Sequence, residues 1–175
     1  MDFKQNYYEI FQLPAEFRID TELLAQRYRQ LQRKIHPDKY VDASEQDRRM
    51  SMQWATQVNE AYTTLKSSLP RAMYLLKLNG IDMGEKQNAP VEPAFLMEQI
   101  ELREDLESIA EHEDALSQLD EFKAKVREVM ERLESEFEVN IEKDLHAAEQ
   151  SVLKMQFMNK LMIAAEQLEE KLLDY

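Results

Sequence analysis

His36-Pro37-Asp38 sets an imidazole two residues from a carboxylate, with a proline between them. Such a pair could move protons as a general acid and base, or lend two ligands to a metal ion. Each chemistry needs more than these residues. Acid–base catalysis needs a pocket and a nucleophile, and the chain has no Gly-rich phosphate cradle and no GxSxG turn. A metal site needs further ligands at helical spacing, yet His112 and His146 stand far along the chain from His36. Without cysteine there is no thiolate ligand, no disulfide and no thiol nucleophile. A metal-dependent hydrolase built on His36 and Asp38 remains an alternative that nothing else supports. The plainest reading of the tripeptide is a helix stop.

The elements that carry this turn are helices. Two glycines and five prolines punctuate 175 residues, 43% of them hydrophobic and 33% charged. So few breakers in a chain rich in Leu, Glu, Lys and Gln predict an all-α fold. A short aromatic segment at residues 5–12 is stopped by Pro14. Asp20 then suits the N-cap of a helix over 21–35, where Leu24, Tyr28, Leu31 and Ile35 form one apolar stripe. Pro37 disfavours helical geometry at His36 and ends that helix. After a loop, Ser44 and Asp47 read as a capping box. The helix that follows carries Ala55, Val58, Tyr62 and Leu65 on one face and has Pro70 near its end. The apolar stretch RAMYLLKL completes a first domain over 1–78. Residues 79–92 hold both glycines and a proline and read as a linker. Three amphipathic segments over 93–175 predict a small antiparallel three-helix bundle.

Charge divides the same way. Residues 1–70 balance ten Lys/Arg against ten Asp/Glu, whereas 71–175 set twelve against twenty-five and carry the whole net charge of −13. This excludes a nucleic-acid binder built on the second half, which would need a basic face. No apolar run reaches the length of a membrane span, and the N-terminus lacks the pattern of a targeting segment, so a cytoplasmic protein is expected. The 21–35 helix runs against the general acidity. Arg29 and Arg33 stand opposite its apolar stripe, Arg27 and Lys34 flank it, and Glu22 is its only acid. A positive face leading into an exposed turn suits docking to an acidic protein partner, although surface charge is ordinarily just solvated.

The helix that starts at Pro93 has two faces. With Phe95 at zero, Leu102, Leu106 and Ile109 fall within about 40° of it and form the core stripe. Met97, Ile100 and Glu104 point the opposite way, with Leu96 and Glu101 on the flanks. An apolar patch rimmed by carboxylates has the anatomy of a protein-binding site. A helix packed between two neighbours would need the same apolar residues, and the pattern alone leaves both readings open. On the last helix, Phe157 lines up with Leu153, Ala164 and Leu168 as a core position, and Met155, Met158 and Met162 form a second stripe, also read as core.

Taken together, Tyr7-Tyr8-Glu9-Ile10-Phe11, the basic helix, His36-Pro37-Asp38-Lys39 and Val58-Asn59-Glu60-Ala61-Tyr62-Thr63-Thr64-Leu65 resemble the successive parts of a J-domain in order and spacing. The Gly/Phe segment and CxxCxGxG repeats of a general DnaJ are absent. Instead Leu69–Leu76, Phe95–Glu104 and Ala165–Tyr175 resemble HscB, the co-chaperone family of bacterial iron–sulfur cluster assembly. The resemblance implies an N-terminal J-domain joined to a C-terminal three-helix bundle. It implies a regulator rather than an enzyme, with no cofactor or metal of its own. His36, Pro37, Asp38 and Arg29, with Arg27, Arg33 and Lys34, would dock on a DnaK-class chaperone of the HscA type and trigger its ATP hydrolysis. Leu96, Met97, Ile100, Glu101, Glu104 and Phe157 match the positions at which the family binds its scaffold, IscU. Ser108, with Glu107 beside it, stands where a further acidic contact is expected. For Phe157, helical periodicity and resemblance point to different roles. A J-protein with another client is the remaining alternative within this class.

Overall fold

The first three helices start on side chains that replace missing backbone partners. The structure, a computed structural model, describes residues 4–40, 42–84 and 91–173. Among these residues there are seven α-helices and no strand: α1 (Tyr7–Ile10), α2 (Thr21–Ile35), α3 (Glu45–Lys66), α4 (Ser68–Leu78), α5 (Pro93–Ile109), α6 (Ala115–Asn140) and α7 (Leu145–Leu173). A 3-10 turn spans Pro37–Tyr40. The Asn6 side chain accepts from the Glu9 amide while the Glu9 carboxylate accepts from the Asn6 amide, closing a capping box on α1. Asp20 accepts from Leu23 N–H at the start of α2, and Ser44 from Asp47 N–H at the start of α3. α1 is shorter than the expected 5–12 segment because Gln12 adopts a left-handed backbone, φ 52°, before Pro14 is reached.

The chain divides into two compact units, Met1–Leu75 and Leu76–Tyr175. Of the expected linker at 79–92, residues 85–90 lie outside the described residues, as do Asp174 and Tyr175 at the end of the last matched stretch. In the first unit, α2 and α3 pack side by side, and α1 rests against α3. Leu24 and Ile35 of α2 and Trp54, Val58, Ala61 and Leu65 of α3 are buried. Tyr28 and Tyr62 lie half-buried between the two helices, with stacked rings 3.9 Å apart. Pro70 falls in the first turn of α4, not at the end of α3. There its missing N–H costs nothing, because first-turn amides have no helical acceptor. Gly80 ends α4 at φ +87°, and the amides of Gly80 and Ile81 return to the carbonyls of Lys77 and Leu76.

Arg71 of α4 ties the first unit together. Its guanidinium is buried, donates to the Phe17 carbonyl at 2.6 Å and the Leu65 carbonyl at 2.7 Å, and lies over the Phe17 ring. One cation therefore joins the segment before α2, the end of α3 and α4.

In the second unit, Glu98 and Asp105 of α5 pair with Arg132 and Lys125 of α6, so these helices run antiparallel. Lys123, early in α6, reaches Glu169, late in α7, at 2.7 Å, which sets the same sense for the next pair. Phe95, Leu102, Leu106 and Ile109 of α5 and Leu119, Phe122, Val126, Val129, Leu133 and Phe137 of α6 are buried, as their spacing predicts. On α7 the expected methionine stripe is buried at Met155 and Met158, and the expected Phe157 stripe is buried only at Leu153. The buried line of this helix is Ala148, Val152, Met155, Met158, Leu161 and Ala165. Met162, Phe157, Ala164 and Leu168 are only half-buried.

Two outcomes follow for stability. Arg71→Met keeps the apolar stem but leaves two carbonyls without their donor. A loss of about 2–4 kcal/mol is expected by denaturant unfolding, and a loss under about 0.5 kcal/mol would remove Arg71 from this role. The second concerns Lys123. Its hydrogen bond to Glu169 holds the ammonium above the ordinary lysine range, against the opposing pull of burial. A raised folded value contributes stability in full below the unfolded value of about 10.4 and loses it as pH climbs through the folded value. The stability gap between the parent and Lys123→Met is therefore expected to hold steady from pH 6 to 9 and to narrow above about pH 10.4.

Candidate functional site

The end of α2 and the 3-10 turn after it form one wall of an open groove of about 870 Å³. Arg29, Arg33, His36, Asp38 and Lys39 line it together with Gln32 and Ile35, and α3 contributes Ala55 and Asn59. Four of these are basic residues around a single carboxylate. The groove thus joins the HPD turn to the positive face of α2, as the sequence reading anticipated. The Asp38 amide donates to His36 Nδ1 at 3.3 Å, and the Asp38 carboxylate stands 3.4 Å from the same nitrogen. Both side chains are open to solvent, at 57% and 85%. The pair is therefore accessible from outside, and among the described residues no hydroxyl or thiol lines the groove beside it. The side chain of Pro37 lies outside the described residues.

Beneath the groove, side chains hold α2 and α3 in register. Tyr28 O–H donates to Asn59 Oδ1 at 2.8 Å and accepts from Gln32 Nε2 at 2.6 Å. The structure does not bring Arg27 or Lys34 into the groove. Arg27 donates to the carbonyls of Phe11 and Gln12 behind α1, and with Lys34 it lines a separate recess. Lys39, Gln32 and Asn59 were missed as groove residues in the sequence. Only Lys39 left a signal there, by its place next to the tripeptide.

The second surface lies on α5. Leu96, Met97 and Ile100 are 40%, 59% and 48% exposed, too open for a helix packed between two neighbours. The carboxylates of this helix sort into two sets. Glu98 and Asp105 turn toward α6 and are paired, whereas Glu101, Glu104 and Glu107 are exposed and carry no ion pair among the described residues. Ser108 turns its hydroxyl to the Asp105 carbonyl at 2.8 Å, which leaves Glu107 as the acid of that turn. Phe157 lies between its two readings. It is half-buried, its ring 6.1 Å from that of Phe95, with the Lys160 ammonium above it. Among the described residues, no three His, Asp or Glu side chains converge as metal ligands, and no helix is long and apolar enough to cross a membrane.

Comparison with known proteins gives these surfaces a family. Residues 6–74 match the DnaJ domain, and residues 91–170 match the family described as the HSCB C-terminal oligomerisation domain. A co-chaperone protein HscB homolog from Vibrio cholerae is 42% identical over 169 residues, covering 96% of this chain and 99% of that protein. One from Shewanella woodyi is 41% identical, covering 97% and 99%. The solved structure of chaperone HscB from Vibrio cholerae superposes with a TM-score of 0.87 at 40% identity, over 96% of this chain and 99% of that one. Human co-chaperone HscB gives the same TM-score at 30% identity, over 100% and 86%. J-domain co-chaperones regulate the ATPase of an Hsp70-class partner and are not themselves enzymes. The chain, with a J-domain ahead of a three-helix bundle, belongs to the HscB family of co-chaperones.

Proposed function

We propose that this protein holds an IscU-type iron–sulfur scaffold on the outer face of α5. It delivers that scaffold in the cytoplasm to an HscA-type chaperone, whose ATP hydrolysis its HPD turn stimulates. The observation that carries the reading is the pair of chemically opposite surfaces. A basic groove around His36 and Asp38 lies on one unit, and an apolar patch rimmed by unpaired carboxylates lies on the other. The first suits an acidic chaperone surface, and the second suits a client that offers apolar side chains ringed by basic ones. Arg29, Arg33 and Lys39 steer and hold the chaperone. His36 and Asp38 make the contacts that favour its hydrolysis-competent state, since a regulator works only through different affinities for two partner states. Arg27 and Lys34 stand at the margin of this interface. On α5, Leu96, Met97 and Ile100 supply the apolar contact, Glu101 and Glu104 its charge, and the exposed part of Phe157 its edge. Linking two weak contacts in one chain raises the effective concentration of scaffold at the chaperone.

Two measurements test the two surfaces separately. Asp38→Asn removes a carboxylate that is 85% exposed, so the fold is expected to persist while stimulation of the chaperone ATPase falls to the basal rate. Equal stimulation by parent and variant would strip the turn of its role. Leu96→Ala combined with Met97→Ala removes apolar surface that the scaffold would cover. About 2 kcal/mol, a roughly 30-fold weaker scaffold affinity by calorimetry, is expected, with ATPase stimulation in the absence of scaffold unchanged. An unaltered affinity would move the client site off this face.

A further inference from the structure

The break at His36-Pro37 leaves one backbone group in an unusual position. In a continuous helix the Ile35 carbonyl would accept from the amide of residue 39. Here the Lys39 amide bonds instead to the His36 carbonyl at 3.0 Å, closing the 3-10 turn. The Ile35 carbonyl is thus one of the four left over at the end of α2. Ile35 is buried, and a buried carbonyl without a donor is costly. The donor comes from another helix. Ser51 of α3, 4% exposed, gives its hydroxyl proton to Ile35 O at 2.7 Å in a buried hydrogen bond.

From this geometry we infer that Ser51 is a positioning residue for the HPD turn, holding the last carbonyl of α2 against α3 so that His36 and Asp38 meet the chaperone already oriented. His36 and Asp38 themselves are too exposed to be held by packing, and their mutual contact lies within the turn. Ser51 is therefore the hydrogen-bonded anchor, beside the buried Ile35 side chain, that joins the residue preceding the turn to the body of the unit. A turn ordered beforehand binds with its full intrinsic affinity. A turn that samples several orientations binds more weakly by the fraction of time it spends in the right one. Losing the anchor should therefore raise the co-chaperone concentration needed for half-maximal stimulation and leave the plateau intact, unlike loss of Asp38. This inference rests on the reading that the turn stimulates a DnaK-class chaperone.

The experiment titrates the full chain and three variants into an HscA-type chaperone and follows ATP hydrolysis. Backbone amide order parameters are measured on the same proteins without chaperone. Ser51→Ala is expected to raise the half-saturating concentration roughly 3–10-fold, the scale of one buried hydrogen bond, with an unchanged plateau. Ser51→Thr keeps the hydroxyl and is expected to titrate like the parent. Val58→Ala opens a cavity two turns farther along α3, at a site buried to 1%, and is expected to lower stability without moving the half-saturation point. Order parameters of His36, Asp38 and Lys39 should fall from about 0.85 to below about 0.6 in Ser51→Ala alone. The inference is overturned if Ser51→Ala titrates like the parent, if Val58→Ala shifts the curve as far, if Ser51→Thr fails to restore it, or if the order parameters do not move. Should the parent itself fail to stimulate, the proposed function falls. The order parameters then decide the positioning role alone, and unmoved values overturn it.

Discussion

Pro37 has no amide proton, and the N-terminal unit is organised around that missing donor. α2 cannot continue past His36, so its positive face ends at a turn that faces solvent. Because the helix stops there, Arg29 and Arg33 stand one or two turns from the histidine and aspartate. Such a sharp stop frees backbone carbonyls, and most of them can be hydrated. The one on the buried side cannot, and α3 must supply its partner. The Tyr28–Tyr62 stack and the Asn59–Tyr28–Gln32 hydrogen bonds keep α3 in the register that allows this. The exposed side chains of His36 and Asp38 are thereby built on a braced frame.

The bundle solves a different problem. Its helices carry most of the chain's negative charge, and like charges on neighbouring helices repel. The structure relieves part of this by spending carboxylates internally. Glu98 and Asp105 go to cations of α6, Glu169 and Asp120 surround Lys123, and Glu92 goes to Lys154, whose ammonium holds that carboxyl below the usual range. The carboxylates left over on α5 are those on the face away from the core. They border Leu96, Met97 and Ile100, so residual charge and open apolar surface are concentrated on one face.

Much of this was legible in the sequence, because the determinants were local. Asp20 and Ser44 cap the helices they precede, and Pro37 stops α2. The stripe from Phe95 to Ile109 is buried as its spacing predicts, whereas the openness of the opposite face of α5, which the pattern left undecided, comes from the structure. What escaped was long-range. Ser51 falls on the apolar stripe of α3, four residues before Ala55 and seven before Val58, so its spacing turns it inward, but nothing in its neighbours says that a carbonyl sixteen residues earlier needs it. Arg27 reads as part of the docking face and Arg71 gives no signal of its own, yet the structure shows both holding carbonyls of distant segments. On α7 the sequence offered two core stripes, and it did not tell that the one through Met155 and Met158 is the buried one while Phe157 and Leu168 are half-buried. That helix is apolar on more than one side, so its periodicity does not single out a face, and only contact with α6 decides.

Trp54 gives the molecule a built-in optical label. It is the only tryptophan in the chain, and it is buried on α3 within the first unit. Indole emission therefore reports on the J-domain frame, while far-ultraviolet dichroism sums over the helices of both units. If the two melt as one cooperative body, the two signals coincide along a denaturant series; if they melt separately, the traces part and assign each transition to its unit. The single indole makes it possible to ask, without adding any dye, whether a change in the bundle is felt by the J-domain.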